Sequence, residues 1–98
     1  MDRTLVAIFG SETRLRVLAV LANARHPMSG YRIAKTAGIR IPKVYPELER
    51  LRSGGAIGRR GAGWVMRDRD VGALLRKRVR IHWSGEWHLD KALRDAED

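Results

Sequence analysis

The chain has 98 residues, with 20 Lys+Arg against 11 Asp+Glu and a formal net charge of +9, so one small domain with a thin core is expected and a polyanionic partner is favoured. It has no cysteine, which excludes disulfides, thiolate metal sites and cysteine nucleophiles. No apolar run reaches the roughly 18 residues of a membrane span, and the opening MDRTLVAIFG lacks the long apolar run and small-residue cleavage site of a secretory signal; a cytoplasmic protein is the expectation.

Residues 3–9 are apolar and stop at Gly10, as either a short helix or an extended arm. Ser11 then offers a hydroxyl to an orphan N–H of the next turn, and a helix is expected from Glu12 to about Ala24. Leu15, Leu18 and Ala22 form its apolar row with Val17 and Leu21 beside it, a stripe wide enough for a largely buried helix. Pro27 breaks the chain before Ser29, which caps a short helix over 30–37 with Ile33, Ala34 and Ala37 inward. Gly38 suits the left-handed residue that ends many helices. Ile39 plugs the corner, and Pro42 fits the first position of a third helix spanning 42–52. Pro46 is tolerable only near a helix start, which argues for a beginning at 42 or 43. Val44, Leu48 and Leu51 make the buried face.

Ser53-Gly54-Gly55 stops that helix. Residues 56–60 and 63–67, around a Gly-Ala-Gly tip, read as a two-stranded hairpin with Ile57, Trp64 and Met66 inward. Asp68 or Asp70 then caps a helix from about Val71 to His82, with Val71, Leu74, Leu75 and Val79 as its stripe. Residues 83–98 are a further helical stretch bearing Trp83, Trp87, Leu89 and Leu93. The fold class is mainly α with a small β-hairpin. Helix, Gly turn, helix and basic hairpin, in that order, make the plan of a winged helix-turn-helix. Its core occupies residues 1–67, with 68–98 as a C-terminal helical segment of the same domain suited to dimerisation.

That plan places the chemistry. Reading B-DNA requires a slim helix with polar side chains outward near its N-terminus and apolar ones behind. Arg40, Lys43, Glu47, Arg50 and Arg52 are left outside. Tyr45 either packs into the core or sends its hydroxyl to a phosphate. Glu47 either accepts from cytosine N4 or pairs with Arg50 or Arg40, and the pairing is favoured. Arg59 and Arg60 beside the tip can enter a minor groove or grip phosphates. Arg32 and Lys35 on the second helix either fix register on the backbone or form an ordinary exposed face. Arg14 and Arg16 read as solvated surface, and the run Arg76, Lys77, Arg78, Arg80 either lengthens the electrostatic footprint or forms a solvated helix face, the latter favoured.

SETRLRVLAVLANA, SGYRIAKTAGI and PKVYPELERLRSGGAI, with the spacing of Val44, Tyr45, Leu48, Leu51, Gly55 and Ile57, resemble the ArsR/MarR/PadR-type winged-helix transcriptional regulators over residues 8–67. The resemblance implies a repressor or activator that binds double-stranded DNA, usually as a homodimer, with a recognition helix at 42–52, a wing at 57–66 and Arg40, Lys43 and Tyr45 nearest the bases. The cysteine motif of the metal-sensing members is absent, and residues 68–98 match no pattern of the family.

Trp83 and Trp87 can share one helix face and, with Leu89 and Leu93, either form a dimer interface or pack on the chain's own first helix. Leu5, Ile8 and Phe9 (with Val6) would complete such an interface. His82, Glu86 and Asp90 have metal-ligand spacing only on an unbroken helix, which Ser84-Gly85 interrupts, so no metal and no cofactor are expected. GRRGAG lacks the Lys-Ser/Thr ending and following helix of a phosphate loop, no serine sits in a nucleophile elbow, and no enzyme is expected. Two further readings remain: an antitoxin or protein-interaction winged helix that also binds its own promoter, with a protein partner on the C-terminal segment, and an RNA-binding domain.

Overall fold

The structure is a computed structural model and describes residues 3–80. Among these, five helices and one hairpin follow in the order α1 (Arg3–Phe9), α2 (Glu12–Asn23), α3 (Gly30–Ala37), α4 (Ile41–Ser53), β1 (Ile57–Arg60), β2 (Gly63–Met66) and α5 (Arg69–Arg78). The chain is mainly helical with a small antiparallel hairpin, the architecture of a winged helix-turn-helix, with α3 and α4 as the helix pair and β1–β2 as the wing. No described helix is long and apolar enough to cross a membrane.

The segment before Gly10 is a helix, and α2 is the hub on which α1, α3, α4, α5 and β2 all pack. That position explains why Leu15 and every residue from Val17 to Ala22 are buried. A helix surrounded on most sides needs apolar or small residues nearly all round. Leu5 of α1 turns wholly into this core, so it is not available to a second chain, whereas Ile8 points outward.

Local signals set most helix ends. Ser11 Oγ accepts from the Arg14 N–H at 2.9 Å, and Ser29 Oγ from the Arg32 N–H at 3.2 Å. Gly38 takes φ 70°, a left-handed conformation that would strain a residue with a side chain. Asp68, rather than Asp70, caps α5, accepting from the N–H groups of Asp70 and Val71 at 3.0 and 3.1 Å.

Two boundaries differ from the sequence expectation. α4 starts at Ile41, with Arg40 as an N-cap lacking a side-chain bond and Pro42 in the second helical position, so Pro46 lies in the second turn. The helix survives because only one i→i−4 bond, toward the Pro42 carbonyl, is lost, and the Lys43 N–H closes the first turn onto the Arg40 carbonyl at 2.9 Å. α5 starts earlier than Val71 and ends at Arg78, well short of His82. There the chain turns extended so that Val79 can bury its side chain, and the Asn23 carboxamide donates to both the Val79 and Ala19 carbonyls at 2.8 Å. Trp83, Trp87, Leu89 and Leu93 lie outside the described residues.

The hairpin pairs Ile57 with Met66 and Arg60 with Gly63 around the two-residue tip Gly61-Ala62. Gly61 has φ 61° and Ala62 does not have a positive φ, the combination of a type II′ turn, which matches strand twist. Met28, in the loop before α3, adds a one-residue bridge to Trp64 (N···O 3.1 and 2.8 Å). A β-carbon at Gly63 would lie 2.6 Å from Pro27 Cβ and 2.8 Å from the Pro27 carbonyl carbon. Only glycine permits this loop to reach the wing.

Candidate nucleic-acid interface

At about 100° per residue, the buried Val44, Glu47, Leu48 and Leu51 fix which side of α4 faces solvent. Pro42, Pro46, Glu49 and Ser53 form the outermost row. Ile41, Tyr45 and Arg52 flank it on one side, Lys43 and Arg50 on the other, and Arg40 stands at the N-cap. All of the cations expected to meet DNA are exposed: Arg32 and Lys35 on α3, Arg40, Lys43, Arg50 and Arg52 on or before α4, and Arg59 and Arg60 on the wing. They sit on consecutive packed elements, since α3 packs on α4 and α4 on β1.

Tyr45 is 45% exposed, so it is not a core residue. Its ring nevertheless covers Gly30 at the start of α3, where a β-carbon would come within 2.6 Å of the ring. The contact packs α4 against α3 and leaves nearly half of the residue in solvent.

Glu47 does not point outward to read a base. It is buried, and accepts from Arg14 Nε at 2.5 Å and Arg50 Nη1 at 3.5 Å. The carboxylate that α4 does expose is Glu49, which is paired with Arg52 at 2.8 Å. The pairing of Glu47 with Arg50 favoured from the sequence is present, but the side chain is buried rather than outside. The helical wheel centred on Val44, Leu48 and Leu51 contained the signal, since it places Glu47 inward and Glu49 outward.

Three arginines assigned to solvated surface serve the fold instead. Arg14 also donates to the Phe9 carbonyl at 2.6 Å, Arg16 to the Ala37 carbonyl at 3.0 Å, and Arg76 to the Ala22 carbonyl at 3.2 Å. Each neutralises carbonyls at a helix C-terminus, where orphan acceptors and the macrodipole favour a cation. Arg16 pairs besides with Glu12 at 3.1 Å. Part of the positive charge is thus committed inward, and the remainder is what a partner meets.

On the wing, the Arg59 guanidinium lies 4.6 Å from the Trp64 ring centroid, a stacked cation–π pair across the strand register. Arg67 crosses Gly58, which leaves room for it, and donates to the Arg59 carbonyl at 3.3 Å. Arg60 projects from the end of β1 beside the tip. Sequence reasoning misses Arg67 because its placement depends on the missing side chain at Gly58. The described residues contain only five carboxylates, Glu12, Glu47, Glu49, Asp68 and Asp70. Glu12, Glu47 and Glu49 are ion-paired and Asp68 caps a helix, so little unpaired negative charge opposes a polyanion among the described residues. No cluster of potential metal ligands occurs among the described residues.

No protein-family model matches the chain, and no curated protein matches it by sequence. Among solved structures, it is similar to a MarR family protein of Mycobacterium tuberculosis, with a TM-score of 0.60 and 16% sequence identity over 96% of this chain. The match covers 63% of that protein, so this chain spans less than two thirds of its length. At that identity what the two share is the fold: this chain is a MarR-like winged helix-turn-helix.

Proposed function

We propose that the chain is a transcriptional regulator that binds double-stranded DNA sequence-specifically as a homodimer in the cytoplasm, without cofactor, metal or catalytic activity. The carrying observation is the exposed N-terminal half of α4, with Arg40 and Lys43 at its start and a cationic rim supplied by Arg50, α3 and the wing. The fold shared with a MarR family protein supports the same reading. Arg40, Lys43 and Tyr45 stand nearest the bases. Arg32, Lys35 and Arg50 hold phosphates, Arg52 is engaged by Glu49, and Arg59 and Arg60 grip flanking backbone or minor groove. Two recognition helices would enter major grooves about 34 Å apart. Ile8, 60% exposed on α1 beside the half-buried Phe9, is the described part of the dimer surface. The C-terminal segment completes it.

The test is binding to the chain's own promoter DNA against random duplex at two salt concentrations. A preference that survives higher salt supports sequence reading, because phosphate contacts weaken with salt for every sequence alike. Equal affinity for both duplexes at both salts refutes it.

A further inference from the structure

We propose that the outer ridge of α4 at Pro42 and Pro46, with Ile41 flanking it, reads thymine methyl groups in the major groove. The proposal rests on the DNA-binding reading above and assigns the base it recognises.

Recognition helices are expected to present hydrogen-bond donors and acceptors to base edges. The first two turns of α4 do the opposite along their outermost line. Pro42 and Pro46 are exposed, stand one turn apart, and have neither an N–H nor a polar side chain. Ile41 beside them is 40% exposed although a polar residue would serve a solvated position equally well. Folding supplies no reason for Pro46. Its ring faces solvent and it removes a helical bond, so alanine would suit the helix better. Glu49, next along the ridge, is neutralised by Arg52 and so does not repel a polyanion.

The rim identifies what covers this apolar strip. Arg40, Lys43 and Arg50 border it on α4, and Arg32 and Lys35 stand on the adjacent α3. A strip so bordered fits an apolar feature lying between phosphates. On the major-groove edges of the four base pairs, the C5-methyl of thymine is the one apolar group presented. Pro42 and Pro46, four residues and about 6 Å apart along the helix axis, are spaced to meet methyls on neighbouring base steps, with Ile41 widening the contact.

The test uses the full chain. Preferred duplexes are selected from a randomised pool, and each thymine of the recovered site is then replaced singly by deoxyuridine, which removes only the methyl. One or two replacements per half-site should each weaken wild-type binding about three- to five-fold, the equivalent of one buried methyl. Ile41→Ala and Pro46→Ala should bind the thymine and uracil forms equally at one of those positions. Pro46→Ala should also melt at a higher temperature than wild type, which separates its loss of discrimination from unfolding. Deoxyuridine that is neutral throughout a preferred site, or discrimination that both variants retain, overturns the methyl reading and leaves DNA binding intact. A pool that yields no preferred sequence overturns both.

Discussion

Removing Arg14 should unfold this protein far more readily than its place on a charged surface suggests. Arg14 holds Glu47 of α4 and the last carbonyl of α1 at once. The Glu47 side chain is 8% exposed and that of Arg14 25%. Truncating one partner of a fully buried ion pair costs about 3–5 kcal/mol, because the other charge is left stranded. Here Arg14 keeps some solvent, and Arg50 stays near Glu47 from an exposed position, so about 2 kcal/mol is the reasonable share. The lost bond to the Phe9 carbonyl adds about 1 kcal/mol. For a domain of this size each kcal/mol moves the midpoint by about 4–8 °C, which places Arg14→Ala about 12–24 °C below wild type. Circular dichroism during thermal and urea unfolding measures it. The control is Arg52→Ala, which removes the same charge from an exposed pair with Glu49 and should cost less than about 1 kcal/mol. Combining Arg14→Ala with Glu47→Gln should recover at least about 1 kcal/mol of coupling, since a neutral amide is cheaper to bury. An Arg14→Ala protein within about 0.5 kcal/mol of wild type, or strict additivity in the double variant, refutes the latch.

Gly63→Ala should cost about 2 kcal/mol in denaturant unfolding, because the new β-carbon meets the Pro27 backbone and must part Met28 from Trp64; an unchanged midpoint would show that the loop yields freely. Arg59→Ala should weaken binding to preferred and random duplex alike and lower the salt slope by about 0.9, one phosphate contact, and a loss confined to one sequence would contradict a backbone role. Lys43→Ala should instead weaken the preferred site more than random DNA, as titrated by fluorescence anisotropy; a uniform loss would move Lys43 from the bases to the phosphates. Ile8→Asp should shift the chain toward monomer in sedimentation equilibrium without lowering its melting temperature, since Ile8 is exposed, and an unaltered mass would exclude α1 from the dimer surface.

What was legible in the sequence is what short spacings control. Val44, Leu48 and Leu51 at helical intervals gave α4 its buried face, Ser11 and Ser29 gave two helix starts, the choice between Asp68 and Asp70 stayed open for a third, and Gly38 and Gly61 gave a helix end and a hairpin tip. Each depends on hydrogen bonds or dihedrals within about one turn of chain, so neighbouring residues suffice to determine it. The cations of α3, α4 and the wing followed, because exposed positions are those left over once a buried face is known.

What the sequence left open depends on residues far apart in it. Arg14 and Glu47 are 33 residues apart, Asn23 and Val79 56, and Arg76 and Ala22 54. The helical wheel of α4 turns Glu47 inward, but nothing local names its partner or distinguishes Arg14 and Arg76 from solvated side chains, and only the packing of α1, α4 and α5 on α2 brings each donor to its acceptor. The Met28–Trp64 bridge is a single residue long and has no periodicity to detect. The sequence thus determined a winged helix and the sign of the surface it offers. Tertiary structure decided which charges that surface keeps, because a buried carboxylate and the carbonyls at helix ends must be paired from whatever element folds against them.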